Sequence, residues 1–505
     1  MTALRAHRLP VELHADPARV VAQLFVPGEQ AHQTHSRVAA IVDRVLALDE
    51  AEVEQQAARL VEDFGPRHHA YPQLLARHAA IAAAHLDESV GLSLARSRVL
   101  GASFTAEYAT EGAALCNPCA VAHPDQTGLG PAQLRVAVSL RAIGEGHVSS
   151  IAFCTAIIGP GPTWTFTERE HPALAGVTSL AKWSNNQLRA VLTDQTHAAA
   201  AHGDVDELSN AVLRGLPARF DAVDLEEAIA ATSIELLARP GAAGGIDQLR
   251  RIVASAYKVD FPDDTTLAQR ILRPFAADES DGMEDARFTR FTYDDASVEY
   301  RATYTAYDGR DIAPRLLLSK DLRHFHVHRL AGPAAGNKGM ALFPRLVGGR
   351  HLALCRTDGE NIGLASSSDG YTWSEPWLIH GPEQVWEMLQ VGNCGPPIET
   401  DRGWLVLTHG VGPMRTYAIG AILLDLDDPG QVIGRLARPL LEPDRDERDG
   451  YVPNVVYSCG GLVHDGRLWL PHGIDDSRIG IAWAPLDELL EELGAARSGL
   501  RSAGE

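Results

Sequence analysis

A turn that occurs twice limits what this chain can become. Ser319-Lys320-Asp321-Leu322-Arg323-His324-Phe325 and Ser367-Ser368-Asp369-Gly370-Tyr371-Thr372-Trp373 each carry a serine, an aspartate, a turn and then an aromatic, and they stand 48 residues apart. Propeller blades repeat at about 40 to 50 residues. Around these turns a pattern of strand, turn, strand, polar loop, strand recurs in units starting at Asn117, Asp285, Ala341, Gly395 and Asn454. Strands this short do not stand alone, so the five units predict an all-β five-bladed β-propeller. A pair of stacked sheets would carry similar strands, which makes the unit count an expectation for the structure to test.

In a propeller the innermost strands line a central channel, and equivalent positions converge on one pocket. Asn117, Asp285, Pro397 and Asn454 occupy equivalent places near the strand starts. The loops after the second strands supply Arg141 with Glu145 and His147, Asp308 with Arg310, Arg356 with Asp358 and Glu360, His409, and Asp475 with Asp476. This set offers hydrogen bonds to a polyol and acids for glycosidic cleavage. Its densest stretch is Glu284-Asp285-Ala286-Arg287, between the Gly282 turn and an alternating strand that begins at Phe288. A carboxyl at a strand start is firmly held, and its neighbours can shift its pKa toward general acid work. The plainer alternative is a turn carboxylate paired with Arg287.

The formal net charge of -21 argues against a nucleic-acid surface and against anionic membranes. Any anion must then be held by local cations. The 45 basic residues include only the lysines Lys182, Lys258, Lys320 and Lys338, so a lysine here suggests a specific task. Six cysteines in a chain of 505 residues are no disulfide scaffold, and Cys116-Asn117-Pro118-Cys119 lacks a second pair for a metal. Met1 to Pro10 holds no apolar signal region and no run is long enough to span a membrane, so the expected compartment is the cytoplasm.

Helical spacing predicts an N-terminal helical region over 1–98, with Asp49 or Glu50 starting the helix after Leu48. Residues 99–169 form the first blade region. Residues 170–258 read as a helical insertion containing a Pro240–Gly245 linker. The remaining blades span 259–492, and 493–505 is a C-terminal tail.

Glu284-Asp285-Ala286-Arg287, Asn337-Lys338-Gly339-Met340-Ala341-Leu342-Phe343-Pro344, Gly395-Pro396-Pro397-Ile398 with Gly403-Trp404 and His409-Gly410-Val411, and Gly473 to Asp476 resemble glycoside hydrolase family 130. That family comprises β-mannoside phosphorylases and related β-1,2-mannosidases. The resemblance covers roughly 100–165 and 256–490. It implies a five-bladed propeller with Asp285 as general acid and phosphate attacking the opposite face of the sugar with inversion. It also implies Lys338 as the motif lysine and Asp476 as a holder of sugar hydroxyls. Asn117, Arg141 and His409 match less closely as substrate ligands, and Asp308 joins them from the loop reading. Arg356 and Arg310 would join Lys338 at phosphate.

Two departures stand out. Ala286 replaces the family's proline, and Cys355-Arg356 replaces a His-Arg pair whose histidine helps hold phosphate. Three readings follow: an inverting phosphorylase releasing mannose 1-phosphate, an inverting β-mannosidase using water with Glu145, Glu360 or Glu399 as base, and a non-catalytic carbohydrate-binding propeller. The partners expected are a β-mannoside oligosaccharide and inorganic phosphate as co-substrate, with no cofactor and no metal. Residues 1–98 would cap the channel or join subunits of a homo-oligomer.

Overall fold

The two repeated heptads close in the same way. Ser319 Oγ accepts from the Leu322 N–H at 2.8 Å, and Asp321 Oδ1 accepts from the N–H groups of Arg323 and His324, both at 2.9 Å. Ser367 Oγ accepts from Gly370 N–H at 2.9 Å, and Asp369 Oδ1 accepts from Tyr371 and Thr372, both at 2.8 Å. The fourth position of each turn is left-handed, Leu322 with φ 57° and Gly370 with φ 77°. The aromatics that follow, Phe325 and Trp373, are buried. The repeat is thus a side-chain-locked turn that aims an aromatic into the core.

The computed structural model describes residues 4–27, 37–83, 91–169, 172–198 and 206–501. Parts of the expected N-terminal region (1–3, 28–36, 84–90), insertion (170–171, 199–205) and tail (502–505) lie outside the described residues. Among the described residues the strands form five antiparallel meanders. The first runs Ala114–Ala122, Leu134–Ile143, Ser149–Ile158, Trp164–Phe166. The second runs Gly282–Thr292, Val298–Tyr307, Ile312–Ser319, His324–Arg329. The third runs Ala341–Leu342, His351–Cys355, Ile362–Ser367, Trp377–His380. The fourth runs Gln390–Asn393, Gly403–Val411, Tyr417–Leu424, Val432–Arg435. The fifth runs Val456–Tyr457, Arg467–Ile474, Arg478–Pro485.

Backbone hydrogen bonds link each unit to the next. Ser149 N–H donates to Asp281 O (3.4 Å), Thr292 to Pro344 (2.8 Å), Val391 to Glu360 (2.9 Å) and Tyr417 to Asn454 (3.0 Å). Cys459 N–H then donates to Pro118 O at 2.8 Å, which returns the fifth unit to the first. Apolar cores lie between the units: Phe153, Phe288 and Tyr457 share one, and Phe343 and Trp404 share another.

The fourth strand of the fifth unit comes from the other end of the chain. His7–His14 pairs antiparallel with Arg478–Pro485, and Leu9, Val11 and Leu13 pack beside Ile479, Ile481 and Trp469. The expectation of helix throughout 1–98 is corrected here. Leu9, Val11 and Leu13 do alternate, but Pro10 weakens the signal as any central-strand signal would be weakened; an edge strand tolerates it. A second strand, Val20–Leu24, pairs with Thr105–Ala109. Helices fill much of the rest, including Arg37–Ala47, Glu50–Phe64 and Tyr71–Ala83. Asp49 caps the second of these, accepting from Glu52 N–H at 2.8 Å. The segment is fastened to the first unit by Arg19 and Glu111, 3.0 Å apart and both fully buried.

Residues 172–258 combine helix with edge strands. Val177–Leu180 pairs with Tyr257–Asp260, which pairs with His324–Arg329 and so widens the second unit on its outer side. Between these strands, Asn185–Ala198, Glu207–Gly215, Ala222–Ala230 and Ala242–Ala254 surround their own core of Leu188, Val212, Leu225 and Leu249. The expected Pro240–Gly245 linker is corrected: a helix starts at Ala242, after Gly241 at φ 89°. Burial of Leu249, Ile252 and Val253 outweighs the poor helix propensity of Gly244 and Gly245.

Deleting residues 1–14 should expose the edge of Arg478–Pro485 and remove three half-buried apolar side chains, each contributing roughly 1 kcal/mol. The melting midpoint should fall and self-association should rise in size-exclusion chromatography. An unchanged midpoint would show that the strand adds nothing.

Candidate active site

A strained bulge recurs at the start of the units. The pairing register slips between Cys116 and Cys119 in the first unit and between Glu284 and Arg287 in the second. The residues in the slips, Asn117 and Asp285, have φ of 50° and 56°, and Asn454 ahead of the fifth leading strand has 63°. A left-handed residue in a bulge turns its side chain out of the pleat, at about 1–3 kcal/mol for a non-glycine. Asn and Asp tolerate this conformation best, so the chain carries them there.

Asn117 and Asp285 thereby point into a cavity of about 480 Å³. All five units contribute to it. The first gives Asn117 and Arg141, the second Asp285 and Arg287, and the third Asn337, Lys338 and Arg356. The fourth gives Gln390, His409, Arg415 and Tyr417, and the fifth gives Tyr457 and Asp476. Seven of the residues expected at a site therefore meet: Asn117, Arg141, Asp285, Lys338, Arg356, His409 and Asp476.

Asp285 is buried and held on both oxygens. Asn117 Nδ2 donates to Oδ1 at 2.5 Å, Arg141 Nη1 stands 3.6 Å from Oδ1, and Arg287 Nη2 stands 3.9 Å from Oδ2. Arg141 also binds Glu284 Oε1 at 2.6 Å and donates from Nε to Ser149 at 2.9 Å. Arg287 is more than a partner for the carboxylate. Its guanidinium donates to Asp285 O (2.8 Å), Cys394 O (2.9 Å) and Tyr457 OH (2.9 Å), tying three units together.

Burial disfavours the ionised form of Asp285, but Arg141, Arg287, Lys338 and the Asn117 hydrogen bond outweigh it and lower its pKa. Asp476 shows the opposite balance. Burial, reinforced by Asp285, Asp475 and Glu284 against Arg141, raises it to about 6. His409 is pushed well below its ordinary value by burial and by Arg356, Arg287 and Lys338, so the imidazole stays neutral.

Arg356 and His409 stand side by side over Gly392. A methyl at Gly392 would lie 2.5 Å from Arg356 Cδ and Nε and 2.6 Å from His409 Cε1. Arg356 donates to Gly359 O at 2.8 Å, while its buried Nε has no partner. Cys355, which replaces the family's histidine, is buried at its strand end, with its thiol pushed up to about 12 by burial. The imidazole beside Arg356 is contributed by the next unit.

Asp308 and Arg310 lie elsewhere. Asp308 accepts from the N–H groups of Arg310 (3.0 Å) and Asp311 (2.6 Å), closing its own turn, and it lines a different cavity beside Arg329. Arg310 is exposed. Their hairpin is too tight to reach the Asp285 cavity, which corrects the loop-equivalence reading. Glu145 and Glu360 are exposed, and Glu399 pairs with Arg345 at 2.8 Å; none of the three lines the cavity. Sequence reasoning missed Gln390, Arg415, Tyr417 and Tyr457. Arg415 had a signal: Gly412-Pro413-Met414-Arg415 matches Gly144-Glu145-Gly146-His147, and both hairpins carry consecutive left-handed residues.

A family model described as beta-1,4-mannooligosaccharide phosphorylase, glycoside hydrolase family 130, matches residues 262–494. A 1,2-beta-oligomannan phosphorylase of Thermoanaerobacter sp. (strain X514) is 34% identical over 222 residues, which is 42% of this chain and 73% of the relative. A beta-1,2-mannobiose phosphorylase of Listeria innocua serovar 6a is 31% identical over 230 residues, 44% of this chain and 63% of the relative. A solved structure of beta-1,2-mannobiose phosphorylase from Listeria innocua, with beta-1,2-mannobiose, superposes with a TM-score of 0.44 at 20% identity, covering 76% of this chain and 92% of that chain. This chain belongs to glycoside hydrolase family 130.

Two outcomes test the geometry. Gly392→Ala should displace Arg356 and His409 together; under the function proposed below, phosphate affinity then falls by roughly tenfold or more, the scale of one charged hydrogen bond, which calorimetric titration with phosphate reads directly. Asp476 has a folded pKa raised above its unfolded value, so the native state binds the extra proton. Its contribution to stability should be present below about pH 4 and lost as pH rises through about 6. Chemical denaturation from pH 4 to 7 should show that slope in the wild type and its loss in Asp476→Asn.

Proposed function

We propose that the chain is an inverting β-mannoside phosphorylase that cleaves β-1,2-linked mannosides and releases mannose 1-phosphate. The observation that carries this reading is the charge of the cavity. In a chain of net charge -21, the lining has five cations, Arg141, Arg287, Lys338, Arg356 and Arg415, against two carboxylates, Asp285 and Asp476. Burying a phosphate dianion requires such paired cations. A water-using enzyme would need a second carboxylate as base; the candidates Glu145, Glu360 and Glu399 do not line the cavity, and Asp476, which does, serves in this reading to hold sugar hydroxyls. The names of the relatives support β-1,2-mannosides as the substrate class.

Asp285 acts as the general acid. Its pKa is lowered, partly by Lys338. Phosphate bound at Lys338 and Arg356 offsets that positive field and raises the pKa of Asp285 as the sugar displaces water. Asp285 then protonates the leaving glycosidic oxygen, directly or through a sugar hydroxyl. A phosphate oxygen bonds to the anomeric carbon from the opposite face while the glycosidic bond breaks. The proton of the attacking hydrogen phosphate finally returns to Asp285, which balances the reaction. Neutral His409 donates to phosphate, and Asn117, Arg141 and Asp476 hold sugar hydroxyls.

The frame we propose is a five-bladed β-propeller, with 99–169 and 259–492 as the blades and 170–258 inserted between the first two. The cycle of hydrogen bonds from unit to unit supports it. His7–His14 then acts as the outer strand that closes the ring. We place the protein in the cytoplasm, a reading supported by six buried cysteines that are all free thiols. No described helix is long and apolar enough to cross a membrane.

The test is cleavage of β-1,2- and β-1,4-mannobiose with and without phosphate. Cleavage should require phosphate, favour the β-1,2 linkage and fall by about 10²- to 10⁴-fold in Asp285→Asn. Arg356→Ala should raise the phosphate KM more than the mannoside KM. Equal cleavage in phosphate-free buffer would favour hydrolysis, and no cleavage under any condition would favour a binding protein.

A further inference from the structure

The other three lysines meet in a second cavity. Lys182, Lys258 and Lys320 line a hollow of about 650 Å³ together with Arg219. Lys338 lines the Asp285 cavity, so every lysine of the chain faces one of two cavities. Forty-one of the 45 basic residues are arginines, and they occupy the surface and the interior alike. Surface composition therefore does not account for where the lysines are.

The walls come from two parts of the chain. Residues 172–258 supply Lys182, Arg219 and Lys258, and the outer strand His324–Arg329 of the second unit supplies the floor. His324, His326 and His328 alternate along that strand and share one face. Lys258 is the cross-strand partner of His326, so it stands on the same face. The rings of His326 and His328 lie parallel, with centroids 6.4 Å apart, and Tyr371 meets His328 edge-on at 5.3 Å. That spacing is too wide for the imidazoles to share a metal ion, whose Zn–N bonds are about 2.0–2.1 Å. It makes an aromatic wall instead, with Tyr371 nearly perpendicular to His328.

The cations are not balanced from within. The two carboxylates of the lining are engaged elsewhere: Glu299 accepts from Arg301 Nε and Tyr293 OH, both at 2.9 Å, and Asp321 from His324 Nδ1 at 2.8 Å and from two backbone N–H groups. Lys182 has Asp221 at 3.5 Å. Among the described residues, Lys258, Lys320 and Arg219 have no ion-pair partner. Burial and the neighbouring positive charges keep His326 and His328 neutral, His328 at about 4. Lys258, Lys320 and Arg219, gathered in one concave site without such an ion-pair partner, attract an anion.

We propose that this cavity binds a small phosphate ester carrying a ring and at least two negative charges. Lys258, Lys320 and Arg219 hold the phosphate, and the His326–His328–Tyr371 wall takes the ring. Because the walls belong to the insertion and to the second unit, the bound ester clamps one onto the other. The proposal does not depend on phosphorolysis at Asp285.

Calorimetric titration of the full chain at low salt tests it, in an Arg356→Ala background that weakens phosphate binding at the other cavity. The probes are mannose 1-phosphate, ATP and inorganic phosphate. At least one ring-bearing ester should bind one-to-one and more tightly than inorganic phosphate, and it should raise the melting midpoint. Adding Lys258→Gln and Lys320→Gln should weaken that binding by roughly tenfold or more. Those two substitutions in the wild-type background should leave ester-free activity on mannobiose near normal. Which ester binds distinguishes a sugar phosphate from a nucleotide. The proposal is overturned if no probe binds at or below millimolar concentration, if the lysine substitutions leave binding unchanged, or if inorganic phosphate binds as well as both esters.

Discussion

Everything at the site depends on one guanidinium and the backbone it holds. Arg287 is fully buried, and its fork reaches Asp285 O, Cys394 O and Tyr457 OH. The left-handed conformation of Asp285 is unfavourable by itself and persists because the bond from Arg287 to its carbonyl fixes it. The same side chain joins the second unit to the fourth and fifth. The energy that aligns the units is therefore also the energy that aims the acid. Ala286 fits this arrangement. The family's proline would stiffen the bulge through its own φ, and here the Arg287 network does so from outside.

Electrostatics then divide the labour inside one cavity. Asp285 and Asp476 share the same surroundings, yet one pKa is lowered and the other raised. The difference is direct contact. Asp285 has Asn117 and two arginines within reach, whereas Asp476 Oδ1 is buried without a hydrogen-bond partner. A lone buried oxygen is a place for a ligand hydroxyl. The negative chain as a whole repels anions at long range, so any anion in the cavity must be held at short range by lining cations such as Lys338, Arg356 and Arg415.

Much of this was legible in the sequence because it rests on local chemistry. The Ser-Asp turns and the Asp49 cap are closed by side chains a few residues from the groups they bind. Asn117, Asp285 and Asn454 could be aligned because a left-handed bulge selects Asn or Asp wherever it recurs. What was not legible depends on distance or on three-dimensional reach. His7–His14 pairs with residues more than 460 positions away, and Pro10 blurs its alternation. Asp308 and Arg310 hold the same place in their unit as Arg356 in its own, but Asp308 binds its own turn and keeps the hairpin short. Where Cys355 replaces the family's histidine, the imidazole beside Arg356 belongs to the next unit, at His409, which no local sequence pattern shows.

In the mechanism we propose, phosphate, held by the cations of the cavity, attacks a sugar whose leaving group Asp285 protonates. Proton and phosphorus NMR of β-1,2-mannobiose incubated with enzyme and phosphate observes that event directly. Attack opposite the leaving group predicts that the first product is the α-anomer of mannose 1-phosphate, formed in equal amount with free mannose. Free mannose with no sugar phosphate, or a β-anomeric phosphate as the first product, would rule out this mechanism.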